Sequence, residues 1–89
     1  MARYEFSEID NAGLGATGGG AEALLNLGMM YSIGRTVKAD LIAAHKWFNL
    51  AAMQGSNDAR DYRIEVAQEM SRDQIAEAQR LAREWLRAS

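Results

Sequence analysis

The sequence predicts an all-α protein, built from antiparallel helix hairpins of a short α-solenoid with about four helices. Apolar residues recur at steps of three and four along most of residues 21–89, and the chain contains no proline. Gly and Ser residues mark short connections between the periodic segments. The 89 residues suit a single small domain. Because a chain of this size buries only about 60 to 65% of its unfolded surface, contact with a partner would add stability.

The first twenty residues differ from the rest of the chain. They hold five of the eight glycines, and glycine loses more backbone freedom on folding than any other residue. We therefore predict a flexible Gly-rich arm over residues 1–20 and a helical domain over 21–89. Within the arm, Gly13-Leu-Gly15-Ala-Thr-Gly18 matches the dinucleotide fingerprint letter for letter. Nucleotide binding is nevertheless the weakest alternative, because that motif needs a buried strand before it and a strand–helix–strand unit around it.

Two helices are predicted over about 21–33 and 40–54. The first is apolar nearly all round, with Glu22 as its single charged residue, which indicates cover on more than one side. Gly34 follows it in the position favoured for a left-handed cap. The second helix has Asp40 as its N-cap and Gly55 after its last turn. Its apolar stripe, whose aromatic pair we expect in the core, consists of Leu41, Ala44, Trp47, Phe48, Ala51 and Ala52.

Two more helices follow after short connections. The third begins at Ser56 or Asn57 and continues to about Glu69. The fourth begins at Ser71, which has the capping-box spacing to Gln74. Short connections favour sequential packing of neighbours, hence two antiparallel hairpins. The inner stripes of these two helices are Ala59, Tyr62, Val66 and Met70, then Ile75, Ala78, Ala82 and Trp85.

Small, aromatic and apolar residues occupy fixed offsets across the first two helices and both turns: Ala23, Leu27, Gly28, Tyr31, Gly34, Val37, Asp40, Ala44, Trp47, Phe48, Ala51, Ala52, Gly55 and Ala59. This set resembles one full Sel1-like repeat, a relative of the tetratricopeptide repeat, over about 40% of the chain. Thr36 stands where that family usually has a second Gly. Residues 62–85 lack the signature and look like the degenerate helical tail that caps the last repeat in similar bacterial proteins.

The resemblance implies a noncatalytic module for protein–protein interaction, an adaptor, with a protein partner and no cofactor. The alternative is a self-associating structural module, a homo-oligomer, because one repeat and a cap fall short of the three repeats that a solenoid usually needs. The side of the first helix that satisfies internal packing holds Leu24, Leu27, Gly28 and Tyr31. Leu25 and Met29, four residues apart, remain on another side. We hypothesise that these two residues bind the partner.

Composition excludes several classes of function. The net charge is −2 and Arg35, Lys38 and Lys46 form only a small basic excess, so no nucleic-acid partner is predicted. No run of about 18 apolar residues exists, which excludes a membrane span. Without Cys there is neither a disulfide nor a thiolate zinc site. The first residues lack the apolar core of a signal peptide, so we expect a cytoplasmic protein.

Few residues qualify for catalysis or metal binding. His45 is the single histidine and has no Cys partner, and its polar neighbours Lys46 and Asn49 indicate an exposed or flanking position. A row of acidic residues lies along the third helix. We interpret this row as a solvated helix face, because Arg residues intervene and the row lacks the loop of oxygen ligands that calcium would require. The row consists of Asp58, Asp61, Glu65 and Glu69. We therefore predict no enzyme, no metal and no cofactor.

Overall fold

The protein is described by a computed structural model that covers residues 20–35 and 37–88. These residues form four helices and no strand: α1 (Gly20–Ile33), α2 (Leu41–Met53), α3 (Asn57–Ala67) and α4 (Arg72–Ala88). The all-α class predicted from the sequence is confirmed. The predicted arm and its glycine motif lie outside the described residues, apart from Gly20, which is the first residue of α1. The flexible arm therefore stays a prediction.

The starts of α2, α3 and α4 are set by local hydrogen bonds that the sequence predicted. An Asp40 carboxylate oxygen accepts from the backbone N–H of Ala43 at 3.1 Å, and the Ser56 hydroxyl accepts from the amide three residues later at 3.1 Å. Ser71 and Gln74 form the reciprocal capping box, with distances of 2.9 and 3.1 Å. Each cap satisfies a backbone donor that the helix itself leaves free.

Two glycines reverse the chain after α1 and α2. Gly34 has a φ of +73° and Gly55 a φ of +104°, both in the left-handed region that side chains with a Cβ rarely adopt. A Cβ at Gly34 would also lie 2.7 Å from the Cβ of Ala39. These turns hold α1 against α2 and bring α3 back onto α2.

Helix α2 is the centre of the fold. It packs extensively against α1, α3 and α4, whereas the contact between α1 and α3 is small. The backbones of α3 and α4 approach each other at few positions, so the predicted second hairpin is held together through α2 rather than by direct packing. The bulkiest fully buried side chains are Leu24 and Leu27 of α1 with Phe48 and Leu50 of α2.

The adjacent aromatic residues of α2 face different helices. Trp47 makes an edge-on contact with Trp85 of α4, with ring centroids 5.7 Å apart. Phe48 stacks on Tyr62 of α3, with centroids 5.4 Å apart, and its other side lies against Gly28 of α1. Trp47 is 6% exposed and Phe48 is fully buried, which confirms the interpretation of this pair as core.

Candidate functional site

The two residues hypothesised to bind a partner lie at the edge of the core. Leu25 and Met29 are both partly buried and pack against the buried cluster. Their spacing of four residues places them on the same side of α1. Met29 also lines a groove between α1, α2 and α3, and Leu25 is not part of that lining. The structure therefore connects one of the two predicted residues to a concave surface.

The groove beside Met29 has a volume of about 240 Å³. Its deepest part includes Phe48, which is fully buried, and its α3 side includes Tyr62, whose side chain is 37% exposed. The Ser32 hydroxyl donates to the carbonyl of Met29 at 3.0 Å and is thereby satisfied within α1. We call this surface the apolar groove; it is lined by Met29, Ser32, Leu41, Phe48, Tyr62, Glu65, Val66 and Glu69.

A second depression, of about 260 Å³, adjoins the apolar groove along α3. We call it the acidic depression; it is lined by Asp58, Asp61, Tyr62 and Glu65. Tyr62 and Glu65 belong to both surfaces, so the two are continuous. Among the residues that the structure describes, no basic side chain lines either of them.

The charges of the acidic row are not neutralised by the neighbouring arginines. All four carboxylates of the row are exposed, as the sequence predicted. Arg63 turns towards α2, where its guanidinium donates to the Asn49 side-chain oxygen at 2.6 Å. Within the part of the chain that the structure describes, the ion pairs join Arg80 to Glu77 and Glu84 on α4. No described basic residue therefore forms an ion pair with the acidic row.

Sequence reasoning missed most of the groove, because the predicted partner-binding residues were sought on α1 alone. Leu41, Tyr62 and Val66 were predicted as core-facing residues, and the structure leaves part of each at the edge of the groove. The acidic row was recognised, but its position beside an apolar groove depends on how α3 packs on α2. Over residues 20–35 and 37–88, no group of three or more His, Asp or Glu residues could hold a metal ion.

The predicted exposure of His45 is wrong, because this side chain is only 3% exposed. Because helix α2 is covered by three other helices, more of its circumference is buried than the single apolar face that the sequence predicts. The Nδ1 atom of His45 has no hydrogen-bond partner among the described residues. Burial lowers the pKa of His45, and the positive charge of Arg63 lowers this pKa further.

We expect the stability of the protein to fall as the pH drops below about 6.5, the pKa of histidine in an unfolded chain. The folded state holds His45 at a lower pKa, so the unfolded state binds more protons in this range and is favoured. The contribution of His45 is fully lost once the pH lies below its folded-state pKa. Urea denaturation at a series of pH values measures this slope. The His45→Leu variant should show a flatter slope just below pH ~6.5, and equal slopes would contradict the assignment.

The fold and the small residues at its helix crossings define a helical-repeat protein of the α-hairpin type. A family model for the Sel1 repeat matches residues 21–56. The matched residues span α1, α2 and the turn that leads to α3, and two further helices follow them. Neither the comparison with curated proteins nor that with solved structures gave a match. None of the helices in the described ranges is long and apolar enough to cross a membrane.

Several of the residues assigned to the repeat lie in the hydrophobic core. Leu27, Phe48, Ala51 and Ala59 are fully buried. Tyr31 and Ala52 are partly buried and pack against the same cluster. The small residues of this set, Ala51, Ala52 and Ala59, lie in the core cluster or against it. The remaining predicted repeat positions are Gly28, at the contact with Phe48, Gly34 and Gly55, in the turns, and Trp47, against α4.

Proposed function

We propose that this chain is a noncatalytic adaptor module that binds a segment of another protein on the side of α1 that carries Leu25 and Met29. Sel1 repeats in general mediate protein–protein interactions. The observation that carries the proposal is the apolar groove beside Met29, where three helices meet without closing. Its volume of about 240 Å³ is below the roughly 300 to 1,000 Å³ typical of small-molecule sites. One or two side chains of a protein partner suit that size better than a cofactor does.

The charges and burial of the described residues also favour binding over catalysis. His45 is buried in α2 and does not line either depression. The groove offers Glu65, Glu69 and Tyr62, and no described side chain is hydrogen-bonded to any of these three so as to activate it for catalysis. A surface of this kind recognises a ligand by shape and charge.

Replacing Leu25 with Glu and Met29 with Lys should abolish partner binding while the helices remain. The new charges stand four residues apart with Glu first, which supports α1 by about 0.2 to 0.5 kcal/mol. Because both side chains pack partly on the core, the variant should lose some stability, about 1 to 3 kcal/mol. A photo-crosslinking residue at position 69, which lines the groove and is exposed, measures partner capture by the wild type and by this variant, and the same residue at exposed position 80 is the control.

The milder variant Met29→Gln keeps the side-chain length and removes apolar character. With the photo-crosslinking residue placed at position 25 of α1, this variant should capture less of the partner than the wild type does, without unfolding. If the double variant unfolds and Met29→Gln binds normally, both side chains serve the core, and the binding surface lies elsewhere.

Self-association is the second candidate, favoured by apolar side chains that the fold leaves exposed. Met53, Ile33 and Ile64 are 60%, 53% and 51% exposed, respectively. Such side chains could complete the solenoid against a second copy. Light scattering over a concentration series distinguishes the candidates, because a constant monomer mass excludes this one.

A further inference from the structure

We infer that the partner segment is an extended basic peptide, which places an apolar side chain in the apolar groove and a Lys or Arg side chain in the acidic depression. This inference rests on the proposed function and specifies the chemistry of the ligand. It follows from three features of the surface: a small apolar groove, an adjoining group of carboxylates that no described basic residue pairs with, and the distance between the two depressions.

The apolar groove accommodates an anchor side chain. Its lining comes from three helices, with Met29 on one side, the buried Phe48 ring at depth and Val66 on the α3 side. An aliphatic side chain in this groove would remove apolar surface from water on both molecules. The volume, about 240 Å³, leaves no room for a whole helix, so the peptide backbone must lie outside the groove.

The acidic depression has the chemistry of a cation site. Asp58, Asp61 and Glu65 surround the exposed side of Tyr62, and no described basic residue pairs with them. A Lys or Arg side chain here would form ion pairs with the carboxylates, and a position over the free face of the Tyr62 ring would add cation–π attraction. The charge also excludes the phosphates of a nucleic acid as ligand.

The spacing of the two depressions specifies the register of the peptide. The two depressions share Tyr62 and Glu65. Along α3, Asp61 and Tyr62 in the acidic depression lie about one helical turn before Val66 in the apolar groove, which corresponds to a rise of about 6 Å along the helix axis. In an extended chain, residues i and i+2 point to the same side and lie about 6.6 Å apart. An anchor and a cation two positions apart therefore match the surface, and an adjacent pair does not.

The arm of this same chain is a poor occupant. Residues 1–19 contain three acidic residues, Glu5, Glu8 and Asp10, and only one basic residue, Arg3. Its charge therefore resembles that of the depression. A partner of opposite charge is favoured by simple electrostatic complementarity.

Fluorescein-labelled heptapeptides in a Gly/Ser background test the inference by fluorescence polarisation on the full chain. The first peptide carries one Leu and one Arg two positions apart. In the second, Glu replaces Arg, and in the third, Arg is adjacent to Leu. The first should bind roughly five- to tenfold more tightly than either of the others. This preference should shrink to less than about twofold near 1 M salt, where the Debye length is about 3 Å.

Matched variants locate the effect on the protein. Asp61→Asn with Glu65→Gln should abolish the preference for Arg and leave the Leu-dependent binding. The control, Asp73→Asn with Glu22→Gln, removes the same two charges from exposed positions outside both depressions and should keep the preference. Both variants change exposed side chains. The Asp61 and Glu65 variant should unfold at the wild-type urea midpoint, and the control, whose acidic residues lie in the first turns of α1 and α4, should unfold at a slightly lower urea concentration.

Each other result overturns the inference. Equal binding of the Arg and Glu peptides, or an Arg preference that survives in the Asp61 and Glu65 variant, shows that the acidic depression does not select the ligand. If Leu peptides bind regardless of charge and Met29→Gln weakens them, the proposed function stands while this inference fails. Absence of binding by every peptide also overturns it, and crosslinking at position 69 then decides the proposed function separately. If the Asp61 and Glu65 variant instead changes the mass of the protein by light scattering, the occupant is a second copy.

Discussion

The Trp47→Ala variant should lose most of the protein's free energy of unfolding, so that a measurable fraction is unfolded at room temperature. Trp47 is 6% exposed, its ring meets Trp85 edge-on, and the Nζ atom of Lys46 lies 4.0 Å from its ring centroid. Removing a buried aromatic side chain costs about 3 to 5 kcal/mol, since apolar burial is lost and a cavity remains. A domain of this size has about 5 kcal/mol of stability in total, so the folded fraction should fall steeply.

Urea denaturation followed by circular dichroism measures this loss. Ile64→Ala is the matched control, because it also removes a large apolar side chain, but from a position that is 51% exposed. That variant should stay within about 1 kcal/mol of the wild type. If Trp47→Ala has a midpoint close to that of the control, α4 does not pack on α2 as described.

Gly28→Ala should destabilise the protein, although alanine favours helices by about 1 kcal/mol over glycine. A Cβ at this position would lie 2.5 Å from Cε1 of Phe48, and closer still to Cδ1 of the same ring. The ring has little space to move because it is fully buried and stacked on Tyr62. Overpacking of this kind costs about 1 to 3 kcal/mol or more, which exceeds the gain in helix propensity.

A double-mutant cycle with Phe48→Leu isolates the steric cause. Phe48→Leu alone should destabilise the protein, because it leaves part of the ring's volume empty. In that background Gly28→Ala should become neutral or stabilising, since the Cβ then occupies vacated space. The two changes should therefore be coupled by more than 1 kcal/mol in urea denaturation. Additive effects would mean that α1 and α2 can separate to accept the Cβ.

The helix boundaries could be predicted because they depend on neighbouring residues. Asp40, Ser56 and Ser71 cap their helices as their sequence spacing indicates, and Gly34 and Gly55 have the positive φ values that their positions require. Each of these features is decided within about four residues of chain. The resemblance to the repeat also predicted a contact that is not local in sequence, the packing of α1 against α2.

Features that depend on how many helices surround a residue were harder to predict. His45 was expected at an exposed or flanking position because its neighbours in sequence are polar, and the structure buries it because α2 is covered on three sides. Of the residues that line the groove, only Met29 was predicted to bind a partner. The proximity of Tyr62 and the acidic row to that residue is set by the position of α3 on α2, for which the sequence alone offers no distance.

Because α2 is central, the segment that matches the repeat is shorter than the segment that we expect to fold cooperatively. The Sel1 repeat ends at residue 56, before the helices that supply Tyr62 and Trp85 to the two aromatic contacts of α2. A peptide limited to the repeat would therefore leave Phe48 and Trp47 half-covered and open to water. In a long solenoid the next repeat supplies that cover, and stability propagates between neighbours. Here α3 and α4 supply that cover through Tyr62 and Trp85, so all four helices should exchange their amide hydrogens through one shared opening event.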